Sequence, residues 1–249
     1  MNEYAIRVTR LNYTYPDGIK ALEVIDLDIR VGERVAIVGR SGSGKSTLLM
    51  HLGGIMPTAG TVKIMGQALD SSAQRQLRRR VGILFQNPAD QLFTPTVYED
   101  VALGLLNLGV PEAEIPDRVR KALEDVGLDW SIKSRFSLYL SPGEQRQVAL
   151  AAVLAMKPAI LVLDEPAGNL DAEKRRRIIK IIADFPATQV IATHDLELVL
   201  DICPRTIVMD RGKIRADGNT LSLLADAALM QAHGLEVPLS LRCGIKPRR

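Results

Sequence analysis

The hydrophobic and polar positions along the chain predict an antiparallel β region at the start, followed by alternating strands and helices. Residues 4–15 and 21–30 alternate between apolar and polar side chains, which is typical of half-buried antiparallel strands. Further on, short apolar runs typical of buried strands alternate with stretches of helical spacing. The predicted strands are 34–39, 61–66, 81–86, 159–165, 189–194, 205–210 and 213–218. The predicted helices are 45–54, 97–106, 112–126, 141–156 and 171–183, with a short helix that follows the strand 189–194 and ends at 203.

Buried strands that alternate with helices predict an α/β fold with a mainly parallel sheet. The antiparallel start and the helical stretch at 97–156 are additions to that core. We therefore expect residues 1–218 to form one domain that contains a helical subdomain at about 90–157. Residues 219–249 are expected to form a helical and then irregular extension.

Composition places the chain among ordinary globular proteins, with 47% hydrophobic and 24% charged residues. A net charge of +3 is too small to favour nucleic acid as a partner. Cys203 and Cys243 are far apart and lack metal-type spacing, so a reducing compartment is expected. The start of the chain has no apolar signal core, and no apolar run approaches the ~20 residues that span a bilayer. These features predict a cytosolic chain that reaches a membrane only through a partner.

The segment GRSGSGKST (39–47) lies between a predicted strand and a predicted helix and fits a phosphate-binding loop. Its glycines allow backbone N–H groups to curl around phosphates. Lys45 is placed to reach the β and γ oxygens, and Ser46 to ligate Mg²⁺. The predicted phosphate-binding residues are Gly39, Arg40, Ser41, Gly42, Ser43, Gly44, Lys45, Ser46 and Thr47.

Further polar residues stand at the ends of predicted strands, where open α/β sheets bind their ligands. Asp164 and Glu165 end the strand 159–165; the first suits Mg²⁺, and the second suits polarisation of an attacking water. Gln86 can offer its amide oxygen to Mg²⁺ or to that water, and His194 can donate to a γ-phosphate. Asp171 follows shortly after Glu165. The set predicts phosphoryl transfer.

The stretch YLSPGEQRQVAL (139–150) predicts a well-capped helix. Ser141 suits the N-cap, Pro142 the first helical position, and Glu144 can reach back to the cap. The stretch alone leaves open whether this is only a capped helix or a helix whose N-terminus is directed at an anion.

Taken together, these residues resemble the nucleotide-binding subunit of an ATP-binding-cassette transporter, over nearly the whole chain. The motifs stand in the family order: Walker A loop (39–47), Q-loop (Gln86), signature (LSPGE, 140–144), Walker B (160–165), D-loop (168–171) and switch histidine (His194). Tyr15 matches the position that stacks on adenine in the family. Tyr13 is an alternative, and both tyrosines could instead pack along a strand.

The resemblance implies how the capped helix works. In the family, the signature helix of one subunit points at the γ-phosphate held by a second subunit, so a second copy or a paralogue would be the partner. Ser141 and the Gly143 N–H would be the donors, with Glu144 beside them. Two departures from the family pattern are Pro142 in place of glycine, and Gln147 in place of arginine with Arg146 one position earlier.

Residues 85–109 and 229–241 resemble energy-coupling-factor transporter ATPases, particularly those serving cobalt and nickel uptake. That resemblance implies a transmembrane coupling subunit, a substrate-binding membrane subunit and a location at the cytoplasmic face of the membrane. In that group a short helix after the Q-loop carries Pro-Asp-x-Gln. This chain matches at Pro88 and Gln91, but it has Ala89, with Asp90 as a substitute.

Glu99 and Asp100 are expected to line or flank the groove for the coupling subunit, or else to be a solvated helix start. The runs RRR (78–80) and EKRRR (173–177) are interpreted as solvated faces. No clustered His, Cys or carboxylate pattern predicts a cobalt or nickel site.

Three alternative functions remain open. These are a soluble cassette ATPase of repair or translation, an importer ATPase for a vitamin, and an ATP-binding module without turnover. Only about 95 residues separate Lys45 from Ser141, and no heptad run predicts the coiled coil usual in the first class.

Overall fold

The computed structural model describes residues 3–57, 61–69, 77 and 79–245. The strands are β1 (Tyr4–Thr14), β2 (Lys20–Arg30), β3 (Arg34–Val38), β4 (Val62–Ile64), β5 (Gln67–Ala68), β6 (Val81–Leu84), β7 (Ile160–Asp164), β8 (Thr188–Ala192), β9 (Arg205–Asp210) and β10 (Lys213–Asn219). The helices are α1 (Lys45–Leu52), α2 (Val97–Asn107), α3 (Ile115–Asp125), α4 (Pro142–Ala155), α5 (Ala172–Asp184), α6 (Leu196–Ile202), α7 (Thr220–Ala225), α8 (Ala227–Ala232) and α9 (Leu239–Arg242).

The chain divides into two compact units. Unit 1 consists of Met1–Arg78 and Ala187–Arg249, and unit 2 consists of Arg79–Pro186. Unit 2 contains the stretch predicted as a helical subdomain at about 90–157. It also contains the strands β6 and β7 and the helix α5.

Unit 1 holds an antiparallel sheet in the order β2-β1-β4-β5, which confirms the predicted antiparallel start. The strand predicted at 61–66 ends at Ile64, because Met65 and Gly66 take φ values of 48° and 80° and turn the chain into β5. Positive φ at two successive residues is the backbone of a tight hairpin turn.

Unit 1 also holds a mainly parallel set of strands. β3 pairs in parallel with β8 and with β9, and β10 returns antiparallel to β9. Ile37 lies opposite Ala192, so β3 and β8 end at the same edge. In unit 2, β6 and β7 are parallel, with Leu84 opposite Leu163. The carboxyl ends of these strand pairs carry the predicted site residues.

In unit 2, the helices α2 and α3 both pack against α4. Val148, Ala149 and Leu150 are fully buried, so α4 is covered on more than one face, as expected for its apolar sequence. Burying one such leucine contributes about 1.5–3 kcal/mol. The helix predicted at 112–126 begins only at Ile115, after a 3₁₀ turn over Glu112–Glu114.

The predicted extension consists of three short helices, α7 to α9, while residues 246–249 of its basic end lie outside the described residues. Within the part of the chain that the structure describes, every helix is too short or too polar to cross a membrane.

Candidate functional site

The phosphate loop (39–47) connects β3 to α1, as the sequence predicts. Gly44 is the N-cap of α1 with φ 100°, and a Cβ there would lie 2.7 Å from the Ala21 carbonyl oxygen. A Cβ on Gly39 would collide with the Met209 carbonyl oxygen. Only glycine fits these two positions, so the loop keeps the bare backbone that close approach to a phosphate requires.

Lys45 is directed into this loop. Its Nζ donates to the carbonyl oxygens of Gly39 at 2.6 Å and Arg40 at 3.1 Å. A cation held over a curled backbone, at the start of a helix, suits the phosphates of a nucleotide.

Arg40 connects the phosphate loop to the C-terminal segment of unit 1. Its Nε donates to Asp210 Oδ1 at 3.0 Å, and His233 Nδ1 lies 3.4 Å from Asp210 Oδ2. Burial opposes ionisation of the Asp210 carboxyl, but the His233 hydrogen bond and the Arg40 charge lower its pKa below the ordinary value. Arg40 is therefore anchored by an ionised carboxylate.

Of the two candidate tyrosines, Tyr15 is the one in contact with the phosphate loop. Its hydroxyl is 2.9 Å from Thr47 Oγ1. Tyr13 packs edge-on against His51 at 4.8 Å and against Tyr15 at 5.0 Å, measured between ring centroids. The structure thus places Tyr15 at the phosphate loop, whereas Tyr13 packs against His51 and Tyr15.

His194 lies at the carboxyl edge of the parallel strands of unit 1. It follows β8 by two residues and is exposed. The preceding Thr193 N–H donates to the Ile37 carbonyl at 3.2 Å. The structure thus brings His194 to the edge where β3 enters the phosphate loop.

In unit 2 the parallel pair β6 and β7 brings Gln86, Asp164 and Glu165 to one edge. The two acids are each only 8% exposed. Glu165 has a φ of 49°, an uncommon backbone conformation for a residue other than glycine, and such conformations concentrate at functional sites. The paired carboxylates lie where ligands bind in α/β folds.

Arg146 is a residue of this edge that the sequence did not single out for a role. Its side chain is buried, and its guanidinium donates to the carbonyl oxygens of Phe85, Gln86 and Asp164. Burial lowers the pKa of Arg146, whereas the charges of Asp164 and Glu165 oppose that shift. In the sequence, the clue to this role is that Arg146 stands one turn into the helix α4.

The signature helix α4 begins as predicted. The Glu144 N–H donates to Ser141 Oγ at 3.3 Å, and the Ser141 N–H donates to Glu144 Oε2 at 2.9 Å, which completes a capping box. The Ser141 hydroxyl also donates to Glu144 at 2.6 Å, and this bond lowers the pKa of Glu144. Pro142 occupies the first turn. Ser141 and Pro142 are exposed, so the helix start is accessible.

Asp171 caps the neighbouring helix α5. Its Oδ1 accepts from the N–H groups of Glu173 at 3.1 Å and Lys174 at 2.9 Å, and the bond from Lys174 lowers the Asp171 pKa. A Cβ on Gly143 would lie 3.5 Å from Lys174 Nζ. The ammonium group of Lys174 thus stands beside the start of the signature helix.

The segment after Gln86 forms the predicted short helix as a single 3₁₀ turn over Pro88–Asp90. Gln91 fixes it, because its Nε2 donates to the Ala149 carbonyl of α4 at 2.9 Å. Phe93 then projects into solvent and is 70% exposed. The 3₁₀ turn and Phe93 form an exposed surface, and the Gln91 hydrogen bond connects this surface to the signature helix α4.

The two acids at the start of α2 have different environments. Glu99 is exposed and accepts from the Thr96 hydroxyl at 2.8 Å. Asp100 is buried, and its Oδ1 accepts from the N–H groups of Phe93 and Thr94, both at 3.0 Å. The alternative that Asp100 belongs to a solvated helix start is wrong, because its carboxylate is buried and holds the preceding loop in place.

The basic runs lie at the surface where they are described. Arg79 and Arg80 are exposed, whereas position 78 lies outside the described residues. In the second run, Lys174 lies 3.8 Å from Asp171, and Arg177 lies 4.0 Å from Glu173. Among the described residues, no group of three His, Cys, Asp or Glu side chains could hold a metal ion.

The chain matches the family model described as ABC transporter over residues 22–168. A putative ABC transporter ATP-binding protein from Gloeobacter violaceus is 52% identical over 236 residues, 94% of this chain and 97% of that protein. The energy-coupling factor transporter ATP-binding protein EcfA from Methanothermobacter thermautotrophicus is 45% identical over 239 residues, 94% of this chain and 76% of that protein.

Solved structures are similar over most of the chain. CbiO1 from Clostridium perfringens, part of the ABC transporter complex cbiONQ, has a TM-score of 0.77 and 34% identity, with 97% of this chain and 96% of that chain covered. The ATP-binding cassette MJ0796, a dimer in a post-hydrolysis state bound to ADP and phosphate, has a TM-score of 0.81 and 27% identity, with 86% and 98% covered.

Proposed function

Because the chain belongs to the ABC transporter family and is an ATP-hydrolysing cassette, we propose that it powers an energy-coupling-factor importer for cobalt or nickel ions. The surface after Gln86 is the observation that carries the proposed coupling to a membrane subunit. The 3₁₀ turn at Pro88–Asp90 and the exposed Phe93 offer apolar contact, and the exposed Glu99 offers charge. Such a surface suits helices of a membrane subunit that carry arginines.

The phosphate loop binds ATP, with Lys45 on the phosphates and Tyr15 against the adenine. Mg²⁺ would be held by the Ser46 hydroxyl, the Gln86 amide oxygen and the Asp164 carboxylate, the hard oxygen donors that this ion prefers. When bound, Mg²⁺ neutralises charge on the phosphates. These residues fit Mg²⁺ because each of them offers an oxygen atom as a ligand.

Glu165 orients and polarises the attacking water, and its carboxylate accepts the proton that the water loses. His194 donates a hydrogen bond to an oxygen of the γ-phosphate while the water attacks the phosphorus and the bond to the leaving ADP, which takes the electron pair, breaks. Asp171 belongs to the D-loop, where its capping bonds fix the start of α5.

The exposed start of the signature helix serves a second cassette. The Ser141 hydroxyl, turned from Glu144 toward the phosphate, and the Gly143 N–H donate to the γ-phosphate bound by that cassette, while the Ser141 N–H keeps its bond to Glu144. We infer that the second cassette is another copy of this chain, and a paralogous ATPase is the alternative. ATP then joins two subunits with two sites at the interface, and hydrolysis releases them.

The proposed partners are a transmembrane coupling subunit and a substrate-binding membrane subunit, and the proposed location is the cytoplasmic face of the membrane, as a peripheral protein. Support comes from relatives named as energy-coupling factor ATPases and from cbiO1, whose complex is cbiONQ. A vitamin is the alternative cargo. Similarity over 97% of the chain to cbiO1 favours an importer subunit over a soluble repair or translation ATPase.

Uptake of metal ions by cells tests which cargo is transported. Cells that express the chain with its membrane partners should accumulate radioactive cobalt or nickel, and cells that carry the Lys45→Ala variant should not. Steady-state ATP hydrolysis, measured on the same purified complexes, shows whether the ATPase is active independently of which cargo is transported. Active hydrolysis without metal accumulation would leave the ATPase standing and remove cobalt and nickel as the cargo.

Replacing Glu99 with Ala is expected to weaken assembly with the coupling subunit and leave ATP binding unchanged. Truncating one side of a charged pair at an interface costs about 2–5 kcal/mol when the pair is desolvated. Co-purification of the membrane subunit measures the effect. Glu114→Ala is the matched control, since Glu114 is another acid of unit 2 and lies in an exposed pair with Arg118. If the two variants co-purify equal amounts of the membrane subunit, Glu99 is a solvated residue at a helix start and has no role in assembly.

A further inference from the structure

Arg146 is a charged residue on a helix, yet its side chain is buried. It is 4% exposed, and apart from Gln147 the other buried residues of α4 are apolar. Its partners are three backbone carbonyl oxygens, and the carboxylates of Asp164 and Glu165 are close enough to act on its charge. A buried guanidinium is costly unless its donors are satisfied, so this arrangement must fix the groups around it.

The three carbonyls belong to two strand ends. Nη1 donates to Phe85 O at 2.9 Å and to Asp164 O at 3.4 Å, and Nη2 donates to Gln86 O. Phe85 and Gln86 follow β6, and Asp164 ends β7. β6 and β7 stop pairing at Leu84 and Leu163. Beyond that pair, Arg146 connects the two strand ends through these carbonyl oxygens.

We propose that Arg146 is a positioning residue, which clamps the Q-loop to the end of β7 so that Gln86 and Asp164 present their oxygens to Mg²⁺ at one fixed separation. This inference rests on the proposed roles of Gln86 and Asp164. It also gives the signature helix a direct mechanical connection to the Q-loop, because Arg146 lies only five positions after Ser141 on α4.

The planar guanidinium suits this clamp better than an ammonium group. Two nitrogens in a rigid fork reach different carbonyls at once, whereas a lysine offers one nitrogen on a flexible stem. The adjacent Gln147 shows the contrast on the same helix. It is buried too, but its Nε2 donates to the Val126 carbonyl next to α3, away from the strand ends.

The test compares nucleotide binding with and without Mg²⁺, using a fluorescent N-methylanthraniloyl ATP, in Arg146→Gln and Arg146→Lys. Without Mg²⁺, both variants should bind within about twofold of wild type. With Mg²⁺, Arg146→Gln should lose about tenfold in affinity, the low end of what outer-shell partners of metal ligands contribute, and Arg146→Lys should recover only part of it. The Mg²⁺ concentration for half-maximal hydrolysis should rise in the same order.

Two controls separate positioning from packing. Gln147→Met removes a buried hydrogen bond of the same helix and should leave the effect of Mg²⁺ unchanged. The double exchange Arg146→Gln with Gln147→Arg keeps the charge of α4 and should behave as Arg146→Gln alone.

Equal loss of binding with and without Mg²⁺ in Arg146→Gln would overturn the proposal, because a merely structural residue gives that result. Recovery by the double exchange would overturn it as well. If wild type binds the nucleotide in a Mg²⁺-dependent way but does not hydrolyse ATP, the proposed function fails, and the binding data still decide the role of Arg146.

Discussion

Replacing Glu165 with Gln is expected to lower kcat by about 100-fold to 10,000-fold, the range that a general base contributes, while ATP binding stays close to wild type. The amide has nearly the shape of the carboxylate but cannot accept the proton of the attacking water. Glu165 is 8% exposed and follows β7 with a φ of 49°. Its backbone is therefore set by the strand end, and the substitution changes chemistry rather than fold.

Single-turnover and steady-state hydrolysis, with a separate binding isotherm, measure this effect. Glu124→Gln is the matched control, since Glu124 is an exposed acid of the same unit. Turnover of Glu165→Gln near the wild-type rate would remove Glu165 from the chemistry. Loss of binding together with turnover would point to a damaged site.

Gly143→Asp is expected to lower hydrolysis by at least about 100-fold and to leave ATP binding to the phosphate loop intact. A carboxylate at the start of the signature helix would face the γ-phosphate of the second cassette, and such a juxtaposition of like charges costs several kcal/mol. The fold has room for it, because a Cβ there meets Leu170 Cδ2 and Lys174 Nζ only at 3.5 Å. Lys174 would pair with the new carboxylate and no longer favour an anion.

Gly143→Asn separates charge from bulk, since it has the same shape without the charge, and it should lose far less activity than Gly143→Asp. Pro142→Gly should lose little, because the donors to phosphate are assigned to Ser141 and Gly143. Normal hydrolysis by Gly143→Asp would mean that α4 is a capped helix with no role at a phosphate.

The sequence predicted the elements of the site well, because local rules determine them. Gly39 and Gly44 have backbone geometry that only glycine fits, so a motif of glycines identifies the loop. The capping box of Ser141 and Glu144 is a local pattern and is present in the structure. The spacing of apolar residues and the turn residues between the strands were enough to predict β1, β2 and β7, and the structure confirms these three strands.

The residues that the sequence did not predict correctly are two charged side chains that become buried. Arg146 and Phe85 are 61 positions apart, and no local pattern indicates that a charged side chain enters the core to reach a carbonyl. Asp100 looked like an ordinary acid at a helix start, but its carboxylate turns back to two N–H groups of the loop before it. Burial by tertiary packing decides both cases, and one sequence does not reveal it.

The molar mass of the Glu165→Gln variant, measured by light scattering with saturating Mg²⁺ and ATP, tests the central claim most directly. That claim is that the signature helix of one copy binds the nucleotide of another. The account predicts a mass of twice 27.3 kDa for Glu165→Gln with ATP, and a mass of 27.3 kDa when Gly143→Asp is added. A mass of 27.3 kDa for Glu165→Gln with ATP fully bound would contradict it, and so would an undiminished dimer of the double variant.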